Sequence, residues 1–171
     1  MKSSSQPAST ALIQHAAELL AAESTLVLAL ADPQGQTQAT PLFYLPAEAS
    51  PTACEKKNLD LFWLSSPTSL HSLSLTADPR ASVAIHHATF AWKEIAGVQM
   101  RGLCSVVTGR ERTQLLKRYR QRFHLNPALG LALRQSTLYR FRPTWVRILD
   151  NRLGFGWKAE FFLENEDAAM C

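Results

Sequence analysis

LDLFWLSSPTSLHSLSLTADPRASVAIHH (59–87), followed after a short gap by GVQMRGLCSVV (97–107), is the stretch whose reading decides the fold. LDLFWL (59–64) is an apolar run of strand length bounded by turn residues. Ser65, Ser66, Thr68 and Ser69 then form a hydroxyl-rich turn that opens a short helix, from about Thr68 to Ala77, carrying His71. Asp78-Pro79-Arg80 restarts the chain as a strand, ASVAIHH (81–87), and from Gly97 a longer strand runs to about Thr108. Backbone N–H groups are unpaired where a helix begins and point toward an anion. Hydroxyls gathered at that strand-to-helix junction therefore read as a phosphate-holding rim of a barrel, which does not by itself name a reaction.

Upstream, Thr10 can cap a helix from Ala11 to about Glu23 whose apolar face is Leu12, Ile13, Ala16, Leu19 and Leu20. TLVLALAD (25–32) reads as a strand, Asp32-Pro33-Gln34-Gly35 as a turn, and Gln36 to Leu45 as the return strand of a hairpin. Residues 46–58 are a polar loop and 88–96 a connection. Downstream, GRERTQLLKRYRQRF (109–123) is a basic amphipathic helix with Leu115, Leu116, Tyr119 and Phe123 at helical spacing. NPALGLALR (126–134) holds a further short helix, and LYRFRPTWVRILD (138–150) alternates as a closing strand whose Pro143 belongs at an edge or bulge. Six short strands with helices at the connections predict a mainly β chain, an antiparallel barrel with peripheral helices. One domain over 10–163 is expected between a disordered tail at 1–9 and a C-terminal tail at 164–171.

At 171 residues the chain is long enough for one core without covalent staples. The 46% hydrophobic and 19% charged fractions exclude a disordered protein. A net charge of +4 helps attract anions, but nucleic-acid binding needs a concentrated basic face. Cys54, Cys104 and Cys171 show no paired or metal-ligand spacing, so neither a disulfide framework nor a zinc site is expected. That usage fits a reducing, cytoplasmic setting. The N-terminal MKSSSQPAST lacks a signal-peptide core, and no run is long enough to span a membrane.

The order of elements, with ATPLFYL (39–45), SPTSLHSLSLTADPRASVA (66–84), GVQMRG (97–102) and DNRLGFGWK (150–158), resembles the FMN-binding split-barrel superfamily typified by pyridoxamine 5'-phosphate oxidase. Within it the chain is most similar to the YhbP-like proteins. The resemblance implies a six-stranded Greek-key split barrel that forms a homodimer, with FMN at the interface and a small-molecule substrate. In the oxidase branch an Arg on the second strand and a Lys in the turn helix hold the FMN phosphate. Those positions fall here on Thr40 and His71, which replace two fixed cations by a hydroxyl and a group mostly neutral at pH 7. Ser65, Ser66 and Ser69 match the hydroxyl-bearing turn, and the region that reads the flavin ring falls near Gly97 to Gln99.

Each candidate has a plain structural alternative. His71 is either a partial cation at a phosphate or a helix-surface histidine. The turn hydroxyls can cap the helix, which is compatible with holding a phosphate. Arg101, two residues after Gln99 on the same strand face, is an exposed strand arginine or a substitute for the missing phosphate cation. Trp157 can cover a flavin ring and Lys158 attract an anionic substrate, or the loop simply docks the C-terminal strand. His86-His87 point to opposite faces and are assigned no metal. The cations of the basic helix fall on more than one face, without a stacking platform, so RNA is the weaker reading. The expectation is a flavin-dependent oxidoreductase of a small molecule; the alternative is a non-redox binding module for haem or another planar ligand.

Overall fold

The structure, a computed structural model, describes residues 6–7, 9–47 and 58–163. In chain order its elements are β1 (Gln6–Pro7), α1 (Thr10–Ala22), β2 (Thr25–Ala31), β3 (Thr37–Phe43), β4 (Leu45–Pro46), β5 (Leu61–Ser65), α2 (Leu70–Ala77), β6 (Arg80–His86), β7 (Ala96–Val106), α3 (Gly109–Arg122), α4 (Gly130–Gln135), β8 (Thr137–Asp150) and β9 (Lys158–Phe162). The strands join one curled, half-barrel sheet in the order β1-β9-β8-β7-β6-β2-β3, with β5 also on β8 and β4 on β5. All pairs are antiparallel except the short β1–β9 contact.

Alternating apolar residues explain the layout. Leu26, Leu28 and Leu30 of β2, Val83 and Ile85 of β6, and Val98 and Met100 of β7 all turn to one face and are buried there. Ala16 and Leu20 of α1 close over that face. Full burial of each large side chain contributes about 1.5–3 kcal/mol relative to exposure. The long β8 runs through the assembly, pairing with β7 on one edge, and with β5 and then β9 on the other. Its ladder with β7 slips between Arg101 and Gly102, leaving Thr144 as the extra residue beside Pro143. Gly102 is required at that bulge, because a Cβ there would stand 2.1 Å from the Arg142 carbonyl oxygen.

Several expectations are refined. The sheet has nine strands among the described residues: the six expected ones and the short β1, β4 and β9. Ser9, not Thr10, caps α1, its hydroxyl accepting from Leu12 N at 3.3 Å. The return strand of the hairpin ends at Phe43, because Tyr44 is fully buried and its hydroxyl donates to the Leu20 carbonyl. Within the segment read as a disordered tail, Gln6–Pro7 pair with Phe161–Phe162. The rest of that reading, most of the 46–58 loop, the 164–171 tail, Cys54 and Cys171 lie outside the described residues. Cys104 is a free thiol whose burial pushes its pKa up to about 12, so it stays protonated and unreactive.

The basic helix α3 covers a second, smaller core of Leu45, Phe62, Val107, Leu115, Tyr119 and Leu138. Half of its six cations act as staples. Arg122 donates to the carbonyls of Ala21 and Glu23 at 3.2 and 2.7 Å, satisfying the end of α1. Arg118 donates to Pro46 O at 3.2 Å, and Arg112 donates to the carbonyls of Leu133, Arg134 and Ser136 at 3.0–3.2 Å.

Candidate functional site

The turn between β5 and α2 brings four of the candidates together. Ser65 ends β5 and is buried; its hydroxyl lies 2.7 Å from His71 Nε2. Ser69 occupies the N-cap of α2 but makes no side-chain capping bond. Its hydroxyl instead stands 2.9 Å from Ser66 O, 2.9 Å from Ser72 Oγ and 3.0 Å from His71 Nε2. Ser66 Oγ meets Thr68 Oγ1 at 2.9 Å. His71 is buried, and that burial holds its pKa below the ordinary 6.5. The ring is therefore neutral at pH 7 and serves as an internal link, not as a surface histidine.

Thr40 pairs with Leu28, so it shares the packed face of the sheet, as does Gln38, whose amide donates to Ser74 Oγ of α2 at 2.7 Å. Gln99 and Arg101 lie on the opposite face and are exposed. Register places Gln99 beside Arg147, and Arg101 beside Trp145. The Arg101 guanidinium stacks 4.1 Å from the centre of the Trp145 ring, and that of Arg147 lies 5.1 Å from it. The two cations leave Trp145 buried on an otherwise open face. Arg147 is tied by Nε to Glu160 at 2.9 Å and by Nη1 to Gln99 Oε1 at 3.3 Å. Among the described residues no carboxylate lies within ion-pair distance of Arg101.

Trp157 and Lys158 separate. Trp157 is half-buried, its ring edge-on to His15 with centres 6.1 Å apart, while Lys158 begins β9 and is exposed. Asp150, the last residue of β8, is almost fully buried and gripped by Arg152 through Nε at 2.8 Å and Nη2 at 2.6 Å. His15 Nε2 lies 3.0 Å from the same carboxylate. Arg152 holds the Asp150 carboxyl below the usual carboxylate range.

The curled antiparallel sheet and the hydroxyl turn agree with a comparison of the chain with family models: the pyridoxamine 5'-phosphate oxidase model matches residues 12–150. The chain belongs to the pyridoxamine 5'-phosphate oxidase family. Solved structures with this family's fold include a heme-binding protein from Mycobacterium smegmatis, at 19% identity and a TM-score of 0.66 over 88% of this chain and 57% of that one. The heme storage protein HutZ from Vibrio cholerae aligns at 20% identity with a TM-score of 0.59, over 74% of this chain and 85% of that one. An FAD-binding protein from Mesorhizobium loti aligns at 20% identity with a TM-score of 0.53, over 78% and 88%. Comparison with curated proteins finds no match.

The FMN phosphate can be tested against the residues present. The turn offers hydroxyls and an N-terminus of α2 without a side-chain cap, but no fixed positive charge. It fits a phosphate through hydrogen bonds alone, a weaker hold than the paired cations that the family resemblance implies. Trp145, Arg147 and Glu160 escaped sequence reading although a signal existed. Trp145 and Arg147 are two apart in LYRFRPTWVRILD, so a register of that strand on GVQMRG would have set them beside Arg101 and Gln99.

Proposed function

We propose that this chain works as a homodimeric split barrel that takes FMN as an exchangeable cofactor between its two copies, in the cytoplasm, and oxidises or reduces a small molecule. The likeness to YhbP-like proteins is part of the same proposal. The observation that carries it is the open sheet face on which the planar guanidiniums of Arg101 and Arg147 flank Trp145 beside the Gln99 amide. Such a face suits a flat, polar ring system. The hydroxyls of Ser65, Ser66 and Ser69, with the start of α2, would receive the phosphate, and Lys158 would draw an anionic substrate toward the same face. Bound FMN supplies the two-electron transfer; the protein orients the ring and a second copy excludes water.

A second reading is a non-redox module for haem. It is supported by the absence of a fixed cation at Thr40 and His71, and by the Arg101 guanidinium, which has no carboxylate partner among the described residues and suits a ligand carboxylate. Titrating the purified dimer with FMN and, separately, with haemin separates the two. Saturable quenching of flavin fluorescence supports the oxidoreductase, and a Soret shift with haemin alone supports the module. A protein that binds neither, or a monomer that keeps full FMN affinity, overturns the proposal.

A further inference from the structure

Helix α3 carries a second stripe that neither core nor sheet uses. Thr113, Leu116, Lys117, Arg120 and Gln121 recur at helical spacing on the side away from Leu115 and Tyr119. Across from them stand Gly130, Leu133 and Arg134 of α4, and the two helices enclose an open groove of about 420 Å³. Arg112 fixes its shape: the three bonds from its guanidinium to Leu133 O, Arg134 O and Ser136 O clamp the end of α4 against α3. Half-buried Leu116 and Leu133 give the groove an apolar lining. Lys117, Arg120 and Arg134 are exposed at its rim, and among the described residues no carboxylate lies within ion-pair distance of any of them.

We propose that the groove between α3 and α4 binds a small amphipathic anion, an acyl or aromatic body ending in a phosphate, sulfonate or carboxylate. Three cations crowded without a counter-charge are relieved by an anionic head group. The apolar lining gains by covering with a hydrocarbon body, and the volume lies in the range of small-molecule sites. A polynucleotide fits less well, since no aromatic ring lines the groove to stack a base. The site is separate from the face carrying Arg101 and does not depend on the FMN reading.

Gly130 provides a test, because it lines the groove and a Cβ built there meets nothing within 4 Å, so a side chain at this position starts from open space. The full chain is titrated with anilinonaphthalene sulfonate, followed by its fluorescence. Gly130→Phe and the double variant Arg120→Glu/Arg134→Glu should each weaken the dye about tenfold or more, with unchanged thermal melting and unchanged FMN titration. Octyl phosphate should displace the dye from the wild type. Octyl glucoside, lacking charge, and inorganic phosphate, lacking a tail, should not. Groove-dependent co-sedimentation with phosphatidylglycerol vesicles would assign the head group to a lipid; octyl phosphate binding without it would assign it to a free molecule. Wild-type dye affinity in both variants, equal displacement by the neutral detergent or by phosphate, or stronger displacement by poly(U), overturns the proposal.

Discussion

His71 Nε2 lies 2.7 Å from the Ser65 hydroxyl, so the ring that stands where a phosphate-binding cation is implied is spent on joining α2 to β5. The charge that a phosphate would need must then come from elsewhere. Thr40, half-buried on β3, is the second position without a cation.

Restoring that charge should strengthen FMN binding. Thr40→Arg is expected to raise FMN affinity by about tenfold, roughly 1.4 kcal/mol, with a gain that shrinks as salt is added. Fluorescence titration at low and high ionic strength measures both. An affinity indifferent to the substitution would remove Thr40 from the phosphate site.

Protonation of His71 should cost stability as the solution is acidified. Burial lowers the folded-state pKa below the ordinary 6.5, so between those two values the unfolded chain binds a proton that the folded chain refuses. The contribution is complete above 6.5 and is lost as pH falls through the lower folded value. Asp60 acts in the opposite sense, since burial raises its pKa and its contribution fades as pH rises above 3.8. Melting curves from about pH 8 to about pH 5 should therefore fall for the wild type and flatten in His71→Gln. Parallel curves for the two proteins would contradict the assignment.

Arg101 keeps water from the indole beneath it. Arg101→Ala should uncover Trp145, cost about 1 kcal/mol of cation–π attraction, and redden the tryptophan emission. FMN affinity should drop in the same variant, whereas Arg101→Lys recovers charge but not the flat stacking surface. Unchanged emission and unchanged FMN affinity in the alanine variant would argue against the stack and the site together.

Gly102 tolerates no side chain where β7 crosses the bulge of β8. Gly102→Ala should destabilise the fold by about 3 kcal/mol, because the obstacle is backbone and cannot swing aside. A Tm lowered by roughly 6–12 °C is the expected calorimetric result. Gly130→Ala, which meets open space, is the control and should leave the Tm close to wild type.

Much of the fold was legible because a strand with one buried face writes its period into the chain. TLVLALAD, ASVAIHH and GVQMRGLCSVV each form a strand where expected, and the structure buries alternate residues along them. Pro143 correctly marked a bulge, since it has no N–H to give to a ladder. Ser9 caps α1 although its neighbour Thr10 is equally competent chemically, so residue type alone does not choose between them. β9 went unread because Lys158–Phe162 follow a glycine loop and become a strand by pairing with β8.

The candidate site was legible as residue types but not as a place. Residue order alone determined that hydroxyls would crowd one strand-to-helix turn, and the family resemblance implied that Thr40 and His71 stand where the oxidase branch keeps its phosphate-binding cations. Tertiary structure decided that Thr40 and Arg101 face opposite sides of the sheet, that Trp157 turns toward His15 while Lys158 is exposed, and that Trp145 lies under Arg101. The reason is that a side chain's partner across a sheet is set by register, and register follows from packing the whole apolar face at once.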